Sequence, residues 1–121
     1  MPARTPHKVR VIFVTTGSEE QAVAIARALV GERLAACVNI VGPVRSIYRW
    51  RDKVEDDREC LLIIKTRATL YVKVEKRVRE LHTYEVPEVL ALTADRGSPP
   101  YLKWLLESTG PSRTVRSGSV R

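Results

Sequence analysis

His82, Glu85 and Glu88 follow one another at three-residue steps in the run LHTYEVPEVLAL, with Tyr84 and Pro87 between them. Imidazole nitrogen with carboxylate oxygen suits borderline divalent cations, so the run is a candidate metal or small-ligand site. The competing reading is structural: a histidine at a helix C-terminus that hydrogen-bonds the last carbonyls. Spacing alone favours the structural reading. Past His82 the run does not read as helix, and three-residue steps bring side chains together only on a helix. A second set, Tyr48, Trp50, Glu59 and Lys65, suits the lining of a cleft. For the two aromatics a core or oligomer-interface role is favoured, because aromatics dominate contact energy there. Lys65 ends an apolar strand and must reach water or meet a carboxylate. Cys37 and Cys60 are too few for a disulfide framework, and both lie in apolar runs. Reduced, buried thiols fit a cytoplasmic protein.

The elements that position these residues follow from composition and period. The chain has 121 residues, 44% hydrophobic and 29% charged, which suits one domain and is too apolar for a disordered chain. No apolar run approaches the roughly 20 residues of a membrane span, and MPARTPHKVR has no apolar core of a secretory signal. The net charge is +7. Five of the cations, Arg4, Lys8, Arg113, Arg116 and Arg121, lie in residues 1–8 and 109–121, which hold no acid. Residues 9–108 keep 16 cations against 14 acids. The basicity thus belongs to a flexible N-terminus (1–8) and a disordered tail (109–121), and neither nucleic acid nor membrane is an expected partner.

Residues 8–16, KVRVIFVTT, read as a strand. Ser18 and Gln21 have capping-box spacing, and Ala22, Ile25, Ala26, Leu29 and Val30 then mark one helical face. Residues 34–41 and 44–50 form a long second strand, with a bulge or bend at Gly42-Pro43. A turn at 51–53 returns the chain as a third strand over 54–66. Pairing Trp50 with Val54 places Cys60 opposite Val44 and Cys37 near Arg67, so the two thiols should not bridge. A second helix spans 68–82, a fourth strand 89–94, and a third helix starts at Ser98-Pro99 and runs to about residue 107.

The order β-α-β-β-α-β plus a C-terminal helix is the α+β, ferredoxin-like split βαβ pattern. Its open sheet face and long strands predict self-association. Other occupants of this topology fit poorly. The central strands lack the aromatics of an RNA-recognition domain. The loop TTGSEE after the first strand has neither paired cysteines nor the arginine of an acyl-phosphate hydrolase. No P-loop, dinucleotide signature or G-x-S-x-G is present.

Five runs in order then resemble the CutA family of divalent-cation tolerance proteins. They are LAACVNI (34–40), S-x-Y-x-W (46–50), E-x-x-L-x-I-K-T (59–66), L-H-x-Y-E-V-P-E (81–88) and Y-L-x-W-L (101–105), covering roughly residues 9–108. The resemblance implies a non-enzymatic homotrimer with PII-like architecture that binds divalent cations such as copper or zinc in an intersubunit cleft. It implies His82 and Glu88 as metal ligands, with Lys65, Tyr84 and Glu85 at the cleft. The family's thiolate ligand position falls at Thr15, which removes the soft donor preferred by Cu(I). Asp52 stands where a turn glycine is usual, and Thr83 where a proline is. The rival expectation is a PII-like signalling module that binds an anionic metabolite or a partner protein without metal.

Overall fold

Alternating burial builds β1 over Val9–Thr16. Ile12, Val14 and Thr16 are fully buried, and Val11, Phe13 and Thr15 face the other way, half-buried. This computed structural model describes residues 8–111; the expectations for residues 1–7 and 112–121 lie outside it. Helix α1, Glu19–Gly31, starts as its cap predicts: Ser18 Oγ accepts the Gln21 N–H at 3.1 Å, and Glu19 and Glu20 occupy the first turn. The Gln21 side chain does not close the capping box. It crosses to the end of the second helix, donating to Leu81 O at 3.2 Å and accepting the Thr83 N–H at 3.0 Å.

Strands β2 (Cys37–Trp50) and β3 (Lys53–Arg67) form the long hairpin. Its turn differs from expectation by one residue. Arg51 and Asp52 hold φ of 50° and 66°, and Trp50 pairs with Lys53 rather than Val54. A two-residue turn in the left-handed region follows the strand twist, which favours it over three residues. Glu59, not Cys60, therefore opposes Val44, and Cys37 opposes Lys65. The two cysteines are free, as expected. The bulge lies where Gly42-Pro43 placed it, between Val41 and Val44, with a cis peptide at that bond. A side chain at Gly42 would bring its Cβ within 2.9 Å of Cys60 Sγ. The bulge also switches parity. Beyond it Val44, Ser46 and Tyr48 lie opposite Glu59, Asp57 and Glu55, so aromatics and acids share one face.

A 3₁₀ turn, Ala68–Leu70, precedes α2, Tyr71–Leu81, which buries Val74 and Val78. Strand β4 spans Leu90–Thr93, and α3, Pro99–Glu107, begins with proline after Ser98. The sheet order is β2-β3-β1-β4, with antiparallel neighbours throughout: the ferredoxin-like arrangement. Helices α1 and α2 cover one side through a core of Ile25, Leu29, Val74 and Val78 against Ile12, Val14, Leu62 and Ile64. Helix α3 closes a separate cluster with Val9 and Ala36 through Leu102 and Leu105. Large apolar side chains stay exposed: Val41, Leu90 and Leu92 on the edge strands, Ile47 and Val54 on the hairpin. Packing runs past residue 108, where composition began the tail. Thr109 is buried and accepts from Arg67 Nε at 2.9 Å, and Gly110 O accepts from Arg33 Nε at 2.7 Å.

Candidate functional site

A cavity of about 770 Å³ opens where the hairpin arms, the end of β1 and the loop after α2 meet. The hairpin contributes Tyr48, Trp50, Asp57 and Glu59, β1 contributes Thr15, and the loop contributes Tyr84, Glu85 and Glu88. The loop is held from behind. Gln21 fixes its first turn through Leu81 and Thr83, and Gly17 lies under the Tyr84 ring, where a Cβ would approach the phenol oxygen to 3.2 Å.

The His82 backbone N–H bonds Val78 O at 2.8 Å, but its imidazole turns away from its own helix's last carbonyls. Its Nε2 lies 2.7 Å from Thr15 O, and its Nδ1 accepts the Tyr84 N–H at 3.0 Å. That pattern requires the hydrogen on Nε2 and the lone pair on Nδ1, so both nitrogens are engaged. The ring is buried and stands 4.6 Å from that of Tyr84. Tyr84 in turn donates its hydroxyl to Glu59 Oε2 at 2.7 Å, and Tyr48 donates to Asp57 Oδ2 at 2.5 Å.

Both phenols are kept protonated. The bond to Asp57, then desolvation and the surrounding carboxylates, push Tyr48 up to about 12. Burial first, then the Glu59 bond, pushes Tyr84 higher still. Burial and the Glu59 charge raise the Glu88 carboxyl. Among the described residues Arg45 and Arg51 border the site, and both are spent on carboxylates. Arg45 makes a two-bond pair with Asp56 at 2.9 and 2.7 Å. Arg51 reaches Glu85 at 2.8 Å, with its guanidinium 5.3 Å from the centre of the Trp50 ring.

The Tyr48 shift carries a pH dependence. The folded state retains a phenolic proton that the unfolded chain releases from its usual 10 upward. This stability is whole below pH 10 and is lost as pH rises through about 12. The melting temperature of the native protein should therefore fall more steeply between pH 10 and 12 than that of Tyr48→Phe. Parallel thermal-shift curves for the two would refute it.

Of the residues singled out in the sequence, Tyr84, Glu85 and Glu88 line the cavity, as do Tyr48, Trp50 and Glu59, whose cleft reading was the disfavoured one for the aromatics. His82 stands behind the wall, against Thr15. Lys65 does not line this cavity. It lies six residues beyond Glu59 on β3, about 20 Å along a strand, and donates to Asn39. Asp57 was missed; the signal for it was the parity switch at the bulge. Among the described residues, no three His, Cys, Asp or Glu side chains are grouped to hold a metal ion.

A family model described as CutA1 divalent ion tolerance protein matches residues 10–108. The divalent-cation tolerance protein CutA of Thermus thermophilus is 52% identical over 100 residues, which is 83% of this chain and 97% of that one. Protein CutA of Mus musculus is 47% identical over 104 residues, 86% of this chain but only 59% of the mouse protein. The solved T. thermophilus Cut A1 structure matches with TM-score 0.83 and 51% identity, covering 84% of this chain and 99% of that one. The structure titled periplasmic divalent cation tolerance protein CutA from Archaeoglobus fulgidus matches with TM-score 0.80 and 36% identity, covering 83% and 97%.

Proposed function

The chain belongs to the CutA1 divalent ion tolerance family, and on that footing we propose that it binds a divalent metal ion at this acidic cleft. In the same reading it acts as a homotrimer, without catalysis, in the cytoplasmic response to metal. The observation that carries the proposal is the charge of the wall: Asp57, Glu59, Glu85 and Glu88 line the cavity, and Arg45, the one lining cation among the described residues, is tied to Asp56. An anionic metabolite would find no free cation among the described lining residues, which weighs against the PII-like signalling alternative.

The donor set constrains the ion. Thr15 supplies no sulfur, and His82 has no free lone pair unless the Tyr84 N–H leaves it. A thiolate–imidazole copper site therefore does not fit these residues. Carboxylate oxygens do fit a divalent cation, zinc or copper(II) included, with Glu88 as a ligand and Glu59 beside it. His82 then serves by fixing the loop that carries Glu88, and a second copy would complete the coordination. The exposed Val41, Leu90 and Leu92 supply apolar surface for such an assembly. The two free thiols support a reducing compartment. Among the described residues no helix is long and apolar enough to cross a membrane.

Native mass spectrometry with copper or zinc tests this reading. The expected result is a trimer that gains metal stoichiometrically. Glu88→Gln should lose at least about tenfold in affinity, and His82→Ala about tenfold through a loosened loop. A trimer that stays bare, or a Glu88→Gln variant that binds like the native protein, would refute the metal reading. A monomer would refute the assembly.

A further inference from the structure

We propose that the same cavity takes a small organic ammonium ion, its charge on Glu59 and its body against the rings of Tyr48, Trp50 and Tyr84. This goes beyond the metal reading and needs no metal. At about 770 Å³ the space is far larger than an ion requires and within the range of small-molecule sites. Its aromatic walls are open: Tyr48 is 41% exposed, Trp50 38% and Tyr84 37%.

Glu59 supplies an independent observation. The residue is only 7% exposed and lines the cavity. Its Oε2 accepts from Tyr84, and its Oε1 has no hydrogen-bond partner among the described residues. A largely buried carboxylate on a cavity wall, with one oxygen that meets no protein donor among the described residues, offers an acceptor to a ligand there, to a cationic donor most of all.

At the edge of the site the chain's own guanidinium already meets this pair of groups. The Arg51 guanidinium stands over Trp50 while its Nη2 pairs with Glu85. Ring face and carboxylate together are the recognition chemistry of alkylammonium ions. Ile47 and Val86 add apolar lining for methylene groups. A carboxylate or phosphate ligand would meet the same acids and no free cation among the described lining residues.

The test is isothermal titration of the full chain with 1,4-diaminobutane in EDTA, with 1,4-butanediol as the uncharged control of similar length. Saturable binding of the diamine alone is expected, weakened at least tenfold in Glu59→Gln, which keeps an acceptor for Tyr84. Tyr48→Leu, at a position 41% exposed, should weaken it severalfold with the thermal unfolding transition still cooperative. Absence of saturable binding, equal binding of butanediol, or equal binding by both variants would overturn the proposal. Zinc uptake without diamine uptake overturns it and leaves the metal reading standing. Diamine uptake in EDTA by a chain that takes no metal does the reverse.

Discussion

Leu62→Ala is expected to lower the unfolding free energy by about 2–5 kcal/mol, while Val54→Ala in the same strand should change it by no more than about 0.5 kcal/mol. The contrast follows from the two halves of β3. Leu62 is fully buried, paired with Val14 on one side and Ile40 on the other, beneath α1 and α2. Truncation there leaves a cavity between two strands and two helices that cannot easily collapse. Val54 is 65% exposed on the outer hairpin and has little to lose within one protomer. Urea unfolding at one fixed protein concentration measures both, with an unchanged slope showing that only stability has moved. Equal losses would contradict the exposure of Val54 in the native protein. They would mean that the outer hairpin is as buried as the sheet centre, against a second copy.

Arg67→Ala is the second large effect, expected to cost about 3 kcal/mol. The Arg67 guanidinium closes the C-terminal end of α3. Its Nε donates to Thr109 Oγ1 at 2.9 Å, and its Nη2 donates to Leu106 O and, at 3.0 Å, to Thr109 O. A helix leaves its last four carbonyls without intrahelical partners, and here a half-buried charge supplies donors for that end. Removing the donors leaves the carbonyls to whatever water can reach them beside buried Thr109. Arg67→Lys should fall in between, because one ammonium cannot reproduce the planar fork. Hydrogen exchange should show faster opening of α3 in Arg67→Ala, ahead of the core strands. An unchanged urea midpoint would show that Arg33, through Glu107 O and Gly110 O, anchors this end by itself.

Much of the fold was legible because it is locally encoded. The β-branched, apolar run of residues 8–16, the Ser18 cap, the proline after Ser98 and the break at Gly42-Pro43 each act within a few residues, and all appear where the pattern put them. The hairpin register slipped by one because its turn is made by Arg51 and Asp52, neither of them the glycine that advertises a left-handed turn. The α3 terminus ran beyond its compositional boundary because its support comes from Arg33 and Arg67, 77 and 42 residues away from their partners Gly110 and Thr109.

The sequence by itself determined the split βαβ order, the bulge, and the family, through five short runs in register. It also placed Tyr84, Glu85 and Glu88 among the residues to watch. Only the tertiary structure decided what those groups can do. Whether His82 is a ligand or a support depends on where its two ring nitrogens point. Here they meet the Thr15 carbonyl, 67 residues earlier, and the Tyr84 amide. Whether Tyr48 and Glu59 line a core or a cavity depends on the parity switch at the bulge and on the loop that brings Tyr84 to Glu59. Periodicity reports which face a side chain leaves from. The direction of a hydrogen bond, and the oxygen left over once it forms, belong to contacts between residues distant in the chain, and on this cavity wall those contacts set the chemistry.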